Sequence, residues 1–210
     1  GTNSLSYGIE QFVQDGRVES VDDLRALVAT YLRNQFGTAD LVALRAAHAA
    51  ATEGDVDGVC DADRRLAAVT LAAEFRESAE QSGSRLLSLQ RDLDPEPVVE
   101  RYAERVGDGD APGHHAAVLG AVAGSAGIDE RTACLVCCHG FVTGVLGAAQ
   151  RIISLGHTDT QRALDDLQPT IRGAVDDSAS RTLDGMTSFT PLVDVLSAEH
   201  ERADRRLFLS

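Results

Sequence analysis

Four groups of residues in this chain are of types that could do chemistry, and their spacing decides how far each goes. Cys134, Cys137, Cys138 and His139 spell C-x-x-C-C-H. Covalent haem attachment needs histidine directly after the second cysteine, and Cys138 stands there instead. Cys134 and Cys138 are one helical turn apart and could chelate a soft ion, but no second pair completes a four-ligand zinc set. Buried cysteine also packs as a small apolar group, and that is the reading adopted. His200-Glu201, followed by Asp204, imitates the H-E-x-x-H face of zinc hydrolases with its second imidazole missing. Asp55, Asp57, Asp61 and Asp63 suggest a calcium loop. Gly58 falls at the wrong position for one and no glutamate closes it, so a solvated acidic face is expected.

His114-His115 follow Gly113 at the start of a helix, where the dipole disfavours a cation and leaves the imidazoles neutral. A neutral pair could take a soft divalent ion such as nickel. Satisfied structural histidines are the better reading. At the other end of the chain Arg202, Arg205 and Arg206 gather positive charge just before Leu207-Phe208-Leu209 and Ser210. An apolar triplet of that kind either folds onto its own body or orders against a partner, and the residues alone leave both open.

The elements that must position these groups are helices. From Ile128 to Leu155 the chain is almost free of charge, with His139 the one strongly polar side chain between Thr132 and Ala149. A helix apolar on every face needs protein or lipid around it. It reaches the lower length limit of a membrane span, but it is rich in Gly, Ala, Cys and Thr, with no flanking basic cluster and no second span. A buried central helix is therefore expected. Its Gly140, Gly144 and Gly147 would form a groove for another helix backbone.

Around it the apolar spacing predicts a short helix over Ile9–Gln14 and helices over Val21–Phe36 and Ala39–Thr52, with Ser20 capping the first and Gly37-Thr38 dividing the two. Further helices are expected over Asp55–Thr70, Ala72–Leu93, from Pro97 to about Val106, and from His114 to Ala126. After the central helix come one from Thr158 to Leu167, one over Thr170–Leu183 with Pro169 kinking or dividing the pair, and one over Leu192–Ala203. No segment reads as a buried strand. The expectation is one all-α domain over residues 1–210, about ten helices around the central one.

Composition narrows the partners. The chain has 210 residues, a formal net charge of −14 and 19 basic residues, all of them arginine. So acidic a protein is a poor match for nucleic acid or an anionic membrane, which counts against a DNA-binding regulator. A chain without lysine has no Walker A loop and forms no Schiff base. Its four cysteines make no disulfide framework, and no signal peptide is legible, so cytoplasmic placement is the default expectation. The start at Gly1, without methionine, suggests that residues once preceded it.

Taken in order, several short motifs add up to more than composition does. The opening Gly1-Thr-Asn-Ser-Leu-Ser6-Tyr7-Gly8-Ile9-Glu10 resembles the first motif of the UreF family of urease accessory proteins, without the Leu-Pro dipeptide that normally precedes it. Arg76-Glu77-Ser78-Ala79 with Gly83 and Leu86-Leu87 resembles its R-E-A-S-x-x-x-G, with Ala and Ser exchanged. Gly113-His114-His115 and Gly120 look like its G-H…G helix. Leu155, Gly156 and Gln161 match part of a Gln-Gly-Gln segment from which Ile152, Ser154, His157 and Thr160 depart. Pro191, Asp194, His200, Glu201 and Arg206 to Ser210 are similar to its C-terminal signature.

The resemblance implies an all-α, dimeric scaffold without enzymatic activity. It implies joining UreD (also called UreH) and the GTPase UreG in delivering nickel to apo-urease, with control over that GTPase. It assigns the tail, Arg202, Arg205, Arg206, Leu207, Phe208, Leu209 and Ser210, to UreD/UreH, and Tyr7, Gly8 and Glu10 to the dimer or to the UreG surface. Arg76, Glu77, Gly83, His114, His115, Gly156, Gln161, His200 and Glu201 become structural motif positions. No tight cofactor is expected, the nickel being handled by the complex. The rival expectation is an all-α metal-binding protein using His114, His115 and the Cys134–His139 cluster.

Overall fold

The computed structural model describes residues 12–13, 16–93, 95–153 and 155–188, and in these the regular structure is all helical, without a strand. The α-helices are α1 (Val21–Tyr31), α2 (Leu41–Thr52), α3 (Val56–Val69), α4 (Ala73–Asp92), α5 (Pro97–Gly107), α6 (His115–Ser125), α7 (Glu130–Ile152) and α8 (His157–Ser178). A π-helical segment, Leu32–Asp40, joins α1 to α2, so that residues 21–52 form one rod. The described residues thus hold seven separate helical rods, fewer than the ten or so expected. The helices expected over Ile9–Gln14, apart from Phe12 and Val13, and over Leu192–Ala203 lie outside the described residues.

Local chemistry sets most boundaries. Ser20 opens α1 with the expected capping box: the Asp23 N–H donates to Ser20 Oγ (3.2 Å) and the Ser20 N–H to the Asp23 carboxylate (3.0 Å). Asp55 caps α3 through the Gly58 N–H (3.0 Å), and Pro97 stands in the first turn of α5, where its missing N–H costs nothing. Asp129 caps α7 through the Thr132 N–H (2.9 Å).

Two expected breaks are absent. Gly37-Thr38 does not divide the first rod: Thr38 Oγ1 donates back to the Asn34 carbonyl (2.7 Å) and the Leu41 N–H bonds to the Phe36 carbonyl, five residues back. Gly37 serves contact instead, since a Cβ there would stand 3.3 Å from the Ala174 carbonyl oxygen of α8. Nor does Pro169 divide α8, which runs unbroken from His157 to Ser178. Pro169 is exposed, so the carbonyl freed by its missing N–H faces water. Leu183, expected to end a helix, begins a short 3₁₀ turn, Leu183–Gly185.

Two hydrophobic clusters make up the core, and α2 and α6 contribute to both. These two helices meet backbone to backbone. A Cβ on Gly120 would lie 2.2 Å from the Leu44 carbonyl oxygen, and one on Gly124 2.3 Å from that of His48. α7 packs its Cys134, Cys138, Val142 and Leu146 side into the larger cluster. Arg45 of α2, its side chain only 14 % exposed, then ties three helices together. Its guanidinium reaches Glu130 of α7 (2.9 Å) and, on α8, Ser178 Oγ (3.0 Å) and the Val175 carbonyl (2.9 Å).

α7 is not wrapped on all sides. It is long and apolar enough to cross a membrane, yet only 56 % of its most apolar stretch is buried within the described body. Val136 (55 % exposed), His139, Gly140, Thr143 and Gly144 form an open, uncharged face. Among the described residues the groove expected from Gly140, Gly144 and Gly147 receives no helix: none of their atoms lies within 4 Å of where the Cβ atoms would stand. The same i, i+4 spacing does its work on α6, where Gly120 and Gly124 meet α2.

Candidate functional site

The site begins with a carboxylate the sequence reading had assigned to solvent. Asp63 is fully buried (0 % exposed), because it shares a helical face with Val59 and Leu66. It accepts three hydrogen bonds, from Tyr102 Oη (2.7 Å), from the Gly113 N–H (2.7 Å) and from the His114 N–H (2.9 Å). Burial pushes its carboxyl above the ordinary value while the three donors pull against that. Its role is to fix the turn that enters α6. Gly113 completes the turn at φ +77°, a conformation that glycine adopts without strain.

Gly83 of α4 closes onto the same turn, where a Cβ would sit 1.9 Å from the Gly113 carbonyl oxygen. Two motif positions thirty residues apart are thus one contact. His114 is held inside as the N-cap of α6, its Nδ1 3.5 Å from the Ala116 N–H. Burial, with His115 beside it, brings its pKa down to about 3, so it is neutral near pH 7. Burial lowers His115 as well, and its Nδ1 is enclosed without a hydrogen-bond partner among the described residues. Neutral imidazoles were expected from the helix dipole; desolvation is the stronger cause here.

His114 and His115 border a cavity of about 220 Å³ between the first rod, α4, α6 and α7. Aromatic rings from Tyr31, Phe36, Phe75 and Phe141 form much of its wall. Asp40, 6 % exposed at the end of the π segment, supplies its charged group. Gln35 Nε2 donates to Asp40 (2.8 Å), and Ser188 Oγ donates in turn to Gln35 Oε1. Desolvation pushes the Asp40 carboxyl up to about 7 against the Gln35 bond. At the rim Arg76 donates to the carbonyls of Thr70 (2.6 Å) and Leu71 (2.7 Å), which holds the α3–α4 connection. Of the motif positions, His114 and His115 thus line the cavity, Arg76 holds two of its lining residues, Thr70 and Leu71, and Gly83 packs on the turn that carries the histidines.

Other sequence-predicted residues lie elsewhere. Glu77 and Gln161 are exposed, and Gly156 is the N-cap of α8, its carbonyl accepting from Thr160 Oγ1 (3.1 Å). Cys134, Cys137 and Cys138 are buried free thiols, and burial raises all three, Cys134 to about 11. Cys137 borders the cavity, whereas His139 lies on the exposed face of α7. Among the described residues no three of His, Cys, Asp or Glu come together to hold a metal ion. Tyr7, Gly8, Glu10, His200, Glu201 and the tail from Arg202 to Ser210 lie outside the described residues.

Comparison with known proteins bears on this arrangement directly. The UreF family profile matches residues 18–168, a span that takes in Arg76, Gly83, the histidine pair and the whole of α7. The chain belongs to the UreF family. The urease accessory protein UreF of Trichodesmium erythraeum (strain IMS101) is 34 % identical over 208 residues, covering 99 % of this chain and 90 % of that protein. Those of Yersinia enterocolitica serotype O:8 and Yersinia pseudotuberculosis serotype IB are 31 % and 30 % identical over the same length, each covered to 91 %. UreF proteins are non-enzymatic, chaperone-type accessory proteins of urease.

Sequence reasoning missed Asp40, Gln35, Asp63 and Tyr102. For Asp63 and Tyr102 a signal existed, since each falls on the apolar face of its own helix, beside Val59 and Leu66 or Val98 and Val99. For Asp40 none did, because the π segment displaces it from the register of either flanking helix.

Proposed function

We propose that this UreF-family chain is a scaffold that bridges UreD/UreH to the GTPase UreG and modulates that GTPase while nickel enters apo-urease. The observation that carries the reading is the near-full-length match to urease accessory proteins, with the family span covering Arg76, Gly83 and the histidine pair that lines the cavity. In this reading the protein works in the cytoplasm and nickel travels with the complex rather than in a tight site on this chain. The tail from Arg202 to Ser210 anchors UreD/UreH through Leu207, Phe208 and Leu209, with Arg205 and Arg206 steering the approach of an acidic body. Tyr7, Gly8 and Glu10 contribute to the dimer or to the surface presented to UreG.

The test is a truncation. Removing residues 202–210 is expected to abolish co-purification with UreD/UreH while circular dichroism shows undiminished helicity. Undiminished capture of UreD/UreH by the truncated chain would refute the assignment of the tail.

The same reading includes a homodimer. Two chains of formal charge −14 repel each other, and they meet at least electrostatic cost where neither presents charge. The open face of α7 at Val136, Gly140 and Gly144 is such a surface. Val136→Glu places a carboxylate there and is expected to shift the mass seen by light scattering from dimer to monomer. A dimer unaffected by the change puts the interface elsewhere.

A further inference from the structure

Two groups in the cavity are left unanswered by the described residues. Asp40 is a buried carboxyl to which these residues supply hydrogen bonds from Gln35 and from its own backbone N–H but no cation. His115 Nδ1 is enclosed and makes no hydrogen bond among the described residues. Buried groups of this kind ordinarily have partners, and a bare anion is the costliest of them. Arg76 is engaged at the rim by the Thr70 and Leu71 carbonyls. The chain has nine aromatic residues, three Tyr and six Phe, and four of them wall this one space.

An aromatic wall around a lone carboxylate is the chemistry that receives an organic cation. Of the candidates, guanidinium fits best: it is planar, weakly hydrated, stacks on ring faces and presents several N–H donors at once. One fork can serve the carboxylate and a further N–H the imidazole nitrogen. The positive pole of α6 nearby is not an obstacle. Of the N–H groups leading into it, those of Gly113 and His114 already point at the Asp63 carboxylate and that of Ala116 at His114 Nδ1. A volume of about 220 Å³ suits a group of this size and not a nucleotide or a drug-sized molecule.

We propose that the cavity bounded by Asp40, His115, Phe36, Phe75 and Phe141 is a binding site for a guanidinium group, carried by a free small molecule or by an arginine side chain.

The test uses the intact protein and three probes, followed by ligand-observed NMR: methylguanidinium, its neutral near-isostere methylurea, and a doubly capped arginine. Methylguanidinium is expected to bind saturably and at least about tenfold more tightly than methylurea, a ratio equivalent to about 1.4 kcal/mol. Binding of capped arginine as well identifies a side chain as the cargo; its exclusion identifies a free small molecule. Asp40→Asn is expected to remove the preference for the cation while leaving any weak methylurea binding in place. Equal binding of methylguanidinium and methylurea by the unaltered protein, or no saturable binding of either, overturns the proposal without recourse to any variant.

Discussion

Gly120→Ala is expected to destabilise the protein by about 3 kcal/mol, although alanine is the better helix former. The two effects oppose each other, and their sizes decide the outcome. Helix propensity alone predicts a gain of about 0.8–1 kcal/mol from replacing glycine in a helix interior. The new methyl, however, would stand 2.2 Å from the Leu44 carbonyl oxygen and 3.0 Å from its carbon. Both are backbone atoms in the middle of α2, so no side chain can swing aside, and α6 and α2 have to separate. Separation opens the seam on which both hydrophobic clusters depend, since Ala43 and Leu44 belong to one and Ala47 and Ala51 to the other. For a chain of this size a loss of about 3 kcal/mol lowers the melting temperature by roughly 6–12 °C.

The control lies on α7. Gly144→Ala meets nothing within 4 Å among the described residues, so there the propensity term acts alone and a small stabilisation is expected. Thermal melts of the two variants should move in opposite directions. If both rise, α2 and α6 are not in backbone contact, and the account of the core fails with them.

That pair of glycines also shows where reading the sequence succeeds and where it stops. Glycine at i, i+4 announces that a backbone can come close, and the spacing was legible on both α6 and α7. Which of the two is used depends on what lies opposite, and Leu44 is 76 residues from Gly120. Local signals fared better. Ser20 with Asp23, Asp55 after Gly54, and Pro97 at its helix start act within one turn, and the observed boundaries follow them. Gly37 misled for the opposite reason. Its local meaning is a helix stop, whereas its use is a close approach to Ala174 of α8, which no local pattern records.

The site divides in the same manner. Types and order of residues at Arg76, Gly83 and His114-His115 were enough to suggest a family. That Gly83 packs on the turn carrying His114 and His115 into a cavity wall follows only from the meeting of α4 with the turn before α6. Asp63 was read as solvated because acidic neighbours flank it at Asp55, Asp57 and Asp61. The apolar residues at Val59 and Leu66 should have outweighed them, because burial follows the helical face and not the neighbourhood in sequence.

Asp63→Ala is the second change with a large expected effect, a loss of about 3–5 kcal/mol in urea unfolding. The size follows from what the substitution leaves behind. Three donors, the Tyr102 hydroxyl and the Gly113 and His114 N–H groups, lose their acceptor at once in a region closed to water. Each unsatisfied donor costs about 1–3 kcal/mol, and partial relaxation keeps the total below the sum. Tyr102→Phe removes one donor together with its need and is expected to cost only about 1 kcal/mol. The double variant should therefore lose less than the two single changes added together, which a double-mutant cycle measures directly.

The pH dependence carries a second signature of the same group. Asp63 has its carboxyl raised in the folded state, so its contribution to stability is fully present below the ordinary carboxylate value and is lost as pH rises through the raised one. Asp63→Asn abolishes that dependence and keeps one acceptor oxygen, so its cost should be smaller than that of alanine and should shrink further as pH rises. The turn held by Asp63 also carries His114 and His115 into the cavity wall. Asp63→Ala is accordingly expected to weaken methylguanidinium binding even under conditions where the variant remains folded. Unaltered binding in a folded Asp63→Ala protein would show that the turn keeps its shape without this carboxylate.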